Sequence, residues 1–240
     1  MTAKDVLHLI EEGEGFDIEF KRKVSTPEKI ARTLIALANT KGGTILFGVD
    51  DDGSIIGVES EKSEADLIHE AGTAYCDPAI RPAIDYVPFD GKDVIVATVP
   101  ESATKPHYYI GELGGNGGGN GQGNGHGNGQ GNGQAADHTR VFIRVNDKTV
   151  MASKEVVRIL RAERPDAPPM RLEFGDNEKR LFRYLDANER ITTKEYSRLV
   201  NISEQRATRI LVSLVHAGVV RIHTLEKRDF FTLAFDVARG

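Results

Sequence analysis

ANTKGGTILFGVDDDGSIIG, residues 38–57, is the stretch on which the fold turns. GTILFGV, at 43–49, is an apolar run of strand length, and the acidic Asp50–Gly53 that follows is turn chemistry leading into SIIGV. Together they predict a β-hairpin. Upstream, Thr26-Pro27 caps a helix running to about Asn39, with proline at its first position and Ile30, Leu34, Leu37 and Ala38 along one face. Further out, residues 3–12 read as a short amphipathic helix, FDIEFK (16–21) as a strand and 61–76 as a second helix. IDYVPF and DVIVATV pair as strands around Asp90-Gly91, and 153–161 closes the pattern with a helix. The expectation is an α+β domain over residues 1–162, a mixed sheet with helices.

Two segments interrupt that pattern. From Gly114 to Gly133 the chain is almost wholly Gly, Asn and Gln. Such a tract loses maximal backbone entropy on ordering and buries nothing, so 112–137 is expected to be a flexible insertion between the strands HYYI and RVFIRV. Its His126 and the nearby His138 read as solvated spacer and not as metal ligands. ERPDAPP, at 163–169, carries three prolines that stop a helix, and a linker is placed at 163–172. With 240 residues and 39% hydrophobic content, the chain suits two compact units. No apolar run approaches the roughly 20 residues that a membrane span needs, and MTAKDVLHLIEEGEG is acidic where a signal peptide would be basic. A cytoplasmic protein without membrane contact is expected. The single Cys76 excludes an internal disulfide framework and reads as a small buried hydrophobe.

The segment 173–240 has its own logic. NEKRLFRYLDA is a first helix; Thr192-Thr193-Lys194-Glu195 is a capping box opening a second, with Tyr196, Leu199 and Val200 inward. Ser203 caps a third, whose Ala207, Ile210, Leu211 and Leu214 share a face, and only Asn201 and Ile202 join the two. After Gly218, VVRIH and DFFTL form strands around Glu226-Lys227-Arg228. This order predicts a small winged helix-turn-helix. Removing the inward positions leaves Ser203, Glu204, Gln205, Arg206, Thr208, Arg209 and Ser213 facing out. Arginine reads guanine, glutamine reads adenine, and serine and threonine suit phosphates. Arg221, His223, Lys227 and Arg228 on the wing are expected at backbone phosphates. The chain carries a net charge of −5, yet residues 170–240 hold 13 Lys+Arg against 10 Asp+Glu. A basic C-terminal segment on an acidic body agrees with phosphate contact there. Duplex DNA is the expected partner, read by a homodimer or higher homo-oligomer because one helix covers too few base pairs. No cofactor is required for such binding.

EGEGFDIEFKRKV (12–24), ALANTKGGTILFGVDDDGSIIGV (36–58), TKPHYY (104–109) and RVFIRVNDKTVMAS (140–153) resemble the Schlafen AlbA_2 family, also called divergent AAA-4. The C-terminal segment looks like the winged helix that often follows this domain in prokaryotic regulators. The resemblance implies two functions: DNA binding in transcriptional regulators, and, in vertebrate relatives, metal-dependent cleavage of structured RNA. Nuclease-type members use three carboxylates, which fall here on Glu14, Glu19 and Asp51. As catalytic and metal-binding residues they would hold Mg²⁺ or Mn²⁺ through hard oxygen ligands, the metal stabilising phosphoryl charge and activating water. The bland alternatives stay open beside this: Glu19 pairing with Lys21 or Lys23, and Asp50–Asp52 forming an ordinary turn. Lys21, Arg22, Lys23 and Arg32 would supply any basic patch for RNA. Gly43–Gly48 lacks the Lys-Ser/Thr of a phosphate loop, so no ATP site is expected. The leading reading is a DNA-binding transcriptional regulator; the alternatives are a metal-dependent endonuclease on RNA or DNA and a protein-interaction adaptor.

Overall fold

A computed structural model describes residues 1–111, 140–163, 175–225 and 228–234. The expected insertion at 112–137, nearly all of the expected linker, His126, His138 and Lys227 lie outside the described residues.

The first half is built on a four-stranded sheet in the order β1-β2-β5-β4, formed by β1 (Ile18–Lys21), β2 (Gly42–Phe47), β4 (Ala83–Phe89) and β5 (Lys92–Pro100). β1 and β2 run parallel, which requires a crossover, and α2 (Pro27–Asn39) supplies it. β5 is antiparallel to both β2 and β4. The sheet is therefore mixed, as expected, within an α+β arrangement.

β2 reads as a continuous apolar run because both its faces are covered. Ile45 and Phe47 enter the core beneath α2 and α3 (Glu61–Ala74), while Leu46 joins Val6 of α1 (Ala3–Glu12) on the other face. α1 is fixed at its start by a capping box between Thr2 and Asp5. The close approach of β1 and β2 explains Gly43: a Cβ there would lie 2.3 Å from the Asp17 carbonyl oxygen, and φ is +153°.

The hairpin predicted from GTILFGV and SIIGV does not form. Both edges of β2 are already taken by β1 and β5, so SIIGV has no ladder to join. Only a single bridge, Val49 to Ile55, remains, and the Gly48 carbonyl accepts from Ile56 N–H at 2.8 Å and Gly57 N–H at 2.9 Å. The helix expected to reach residue 76 stops at Ala74, and β3 (Cys76–Asp77) pairs instead with β6 (Tyr108–Tyr109).

Asn39 ends α2 with its side chain 2% exposed. Its Nδ2 donates to the carbonyls of His107 (3.0 Å) and Phe142 (3.1 Å), and its Oδ1 accepts from His107 N–H at 2.7 Å. One buried amide thus holds together the segments on either side of the Gly/Asn tract. β7 (Phe142–Val145) and β8 (Lys148–Met151) form a hairpin, and α4 (Lys154–Ala162), capped by Ser153, packs on it through Val156, Val157 and Leu160.

The remaining elements are α5 (Asp176–Asn188), α6 (Thr193–Leu199), α7 (Glu204–His216) and a hairpin of β9 (Val220–Thr224) and β10 (Asp229–Leu233). They enclose a core of their own, in which Leu181, Tyr196, Leu211 and Phe231 are fully buried. The capping box at Thr192 and Glu195 is present as read from the sequence, as is the Ser203 cap. Among the described residues no helix is long and apolar enough to cross a membrane.

Candidate nucleic-acid interface

α7 is placed by two buried strips, not one. Ala207, Leu211 and Leu214 face the core shared with α5 and α6. Thr208 and Val212, four residues apart, are 3% and 4% exposed and lie on a flank that packs against α4. Thr208 was expected to face outward; instead its hydroxyl donates to Glu155 Oε1 at 3.1 Å and to the Glu204 carbonyl at 2.9 Å. The physical reason is the second layer: α4 covers a side of α7 that the helical period alone assigns to solvent. What remains open is a narrow stripe, with Gln205, Arg206 and Arg209 exposed near the helix N-terminus and Ser213 half-buried further along. Neither the Arg206 nor the Arg209 guanidinium is engaged in an ion pair among the described residues. Ser203 and Glu204 are exposed as well, the Ser203 hydroxyl accepting from Arg206 N–H as the N-cap. On the hairpin, Arg221, His223 and Arg228 are exposed.

The seam between α4 and the C-terminal elements is polar at its edges. Ser153 donates to Asp229, and the His216 ring lies 3.0 Å from the Ala162 carbonyl oxygen. Burial raises the Asp229 carboxyl above its ordinary value, with the nearby Glu155 adding to the effect and the Ser153 hydroxyl opposing it. A carboxyl with a raised folded value binds its proton more tightly in the native state, so it costs stability as pH rises from the ordinary carboxylate range. Asp229→Asn, which keeps an acceptor for Ser153, is therefore expected to gain melting temperature relative to the parent as pH rises from acid to neutral. A difference that stays flat with pH would contradict this.

The three carboxylates do not assemble. Glu19 sits with its side chain 12% exposed, ion-paired to Lys21 through one oxygen and to Arg144 Nη1 at 2.5 Å through the other. Glu14 Oε1 accepts from Phe20 N–H at 2.8 Å. Asp51 is exposed in the turn after β2, where its neighbour Asp50 pairs with Arg22 at 2.9 Å. Among the described residues no group of three or more His, Cys, Asp or Glu side chains is placed to hold a metal ion. Glu19 thus makes the pairing with Lys21 that was one of its expected readings, and Asp51 lies in a turn. Cys76 is 3% exposed, its thiol directed at the Ala71 carbonyl and pushed up to about 12 by burial.

Comparison with known families places this half of the molecule. The family model described as "Schlafen, AlbA_2" matches residues 14–153, more than half of the chain. The chain belongs to the Schlafen AlbA_2 family. The matched residues of this AlbA_2 protein end at Ser153, so α4 and everything after it lie beyond the match. Two solved structures are similar. The N-terminal domain of a RecG-related protein from Nitrosomonas europaea shares 21% identity, with a TM-score of 0.37, over 56% of this chain and 94% of its own. The DIP2311 protein from Corynebacterium diphtheriae shares 16% identity, with a TM-score of 0.45, over 89% of this chain, which spans only 37% of that one. Comparison with curated proteins returns no match.

Two roles in this AlbA_2 chain escape the sequence reading. Glu155 has no signal beyond being an acidic residue in a helix's first turn, and Asn39 looks like an ordinary helix-terminal residue until its amide is seen to bridge His107 and Phe142.

Proposed function

We propose that this AlbA_2 protein is a DNA-binding transcriptional regulator, that its residues 173–240 form a winged helix-turn-helix domain, and that it engages duplex DNA as a homo-oligomer. The observation that carries the reading is the exposed stripe of α7. Where every other side of that helix is packed, Gln205, Arg206 and Arg209 stand free at its N-terminal half, the end from which recognition helices reach base edges. Ser203 suits a phosphate beside them, while Arg221 and Arg228 extend the cationic surface onto the hairpin. The α4 seam adds a constraint: with Thr208 buried, the phosphate contact expected of it is lost, and base reading rests on Gln205, Arg206 and Arg209. A face this narrow reads few base pairs, which is why pairing of two copies on a two-fold site is part of the proposal.

Selection of genomic fragments by the purified full chain tests this directly. The expected result is enrichment of duplexes sharing a two-fold repeated motif, with an affinity that falls steeply as salt rises. Recovery of fragments without any shared motif would overturn sequence-specific regulation.

A further inference from the structure

We propose that the outward face of the β9–β10 hairpin, together with Arg190, is a stacking platform for the bases of an unpaired DNA strand. Strand alternation sets it up. Phe231 is fully buried in the C-terminal core, so its neighbour Phe230 must point the other way, and it belongs to none of the hydrophobic clusters of the molecule. The ring is half-buried on the outward side of the hairpin, away from the C-terminal core.

Its surroundings are specific. Phe230 lies directly across from His223 in the ladder, and the two rings stack with centroids 4.8 Å apart and planes within 5°. The Arg190 guanidinium stands 5.6 Å from the centre of the same phenyl ring. His223 is held in place by Thr232, whose Oγ1 lies 2.9 Å from the ring Nε2. The half-buried phenyl ring, the exposed imidazole and the exposed guanidinium therefore form one stacked group on the surface. Each is a surface on which a nucleobase stacks.

Charge selects the occupant. Arg190, Arg221 and Arg228 are exposed around this group and fit a phosphate backbone; of the acids nearby, Glu195 is committed to capping α6 at Thr192 and Asp229 accepts from Ser153, while Glu189, next to Arg190, is exposed. Base pairs inside a duplex hide their faces against each other, so only an unpaired base can lie on the platform. The site is separate from the α7 stripe and uses none of its side chains. A chain carrying both surfaces is suited to DNA where a duplex opens into a single strand.

The protein contains no tryptophan, which gives a direct test. Phe230→Trp in the full chain places a sole indole on the platform, and titration with oligothymidylate is expected to quench its emission. Duplex DNA, whose phosphates can reach Arg221 and Arg228 but whose paired bases offer no free face, is expected to quench the emission far less than oligothymidylate does. Phe230→Ala is expected to bind oligothymidylate about tenfold more weakly than the parent, with duplex affinity unchanged. Because Phe230 lies outside the core, both variants are expected to melt with the parent. Equal quenching by duplex and single strand, or unaltered oligothymidylate binding by Phe230→Ala, would overturn the proposal. So would emission that changes with protein concentration alone, which would assign the face to a second copy of the chain. Loss of duplex binding in Arg206→Ala/Arg209→Ala with oligothymidylate binding retained separates this site from the α7 reading.

Discussion

Arg206→Ala/Arg209→Ala is expected to weaken binding to a selected duplex by about a hundredfold while leaving the melting temperature unchanged. Each arginine that forks onto a guanine contributes roughly 1–3 kcal/mol of discrimination, so two of them removed together dominate the recognition energy. Both side chains are exposed and make no ion pair among the described residues, so neither supports the fold. Fluorescence anisotropy on the enriched sequence and on a scrambled one separates the two parts of the effect. Loss confined to the enriched sequence marks base reading; equal loss on both marks phosphate contact only. Unchanged affinity on the enriched sequence would remove α7 as the reading helix.

Glu19→Ala is expected to be among the most destabilising single changes in the chain. Arg144 is fully buried, its guanidinium donating to the Gly15 carbonyl at 2.6 Å, to the Phe16 carbonyl at 3.3 Å and to Glu19 at 2.5 Å. Glu19 supplies the only negative charge among those partners. Removing it leaves a buried cation beside Lys21, a loss on the order of 3 kcal/mol. Chemical denaturation checks this, and the cycle with Arg144→Met is informative: the double variant is expected to be more stable than the sum of the singles predicts, because no charge is then stranded. A melt for Glu19→Ala equal to the parent's would show that the ion pair does not hold β1 to β7. Glu19 is also the residue a nuclease reading would remove, so any change in activity has to be read beside the melt.

What could be read from the sequence divides along physical lines. Local signals came through. The capping box at Thr192, the cap at Ser203, proline at the start of α2, and the apolar period of α5 to α7 depend on neighbours within a turn or two, and each sits where it was expected. The mixed sheet followed from the order of strands and helices. Long-range competition was hidden. SIIGV has good hairpin chemistry, but whether it pairs depends on β5, some forty residues downstream, which takes the edge it would have used. Thr208 likewise lies on the outward side of its own helix and is buried only because α4, more than forty residues upstream, covers it. Glu19 shows the same limit at a candidate site. Its spacing from Glu14 and Asp51 is visible in the chain, while the partner that determines its chemistry, Arg144, is not. Phe230 was legible as a strand residue, yet only the register with His223 and the reach of Arg190 make it a site.

The Asn39 clamp bears on how this polypeptide can be rearranged. Its amide joins His107 to Phe142, Tyr109 N–H donates to the Arg140 carbonyl at 2.8 Å, and the Arg140 guanidinium donates to the Gly111 carbonyl at 2.9 Å. The residues up to 111 and those from 140 onward are therefore stapled by contacts that do not pass through the chain between them. Loop length adds little to the closure entropy once its ends are fixed in this way. That makes this position the natural seam for new chain termini, or for grafting a foreign module, in a circularly permuted form of the protein.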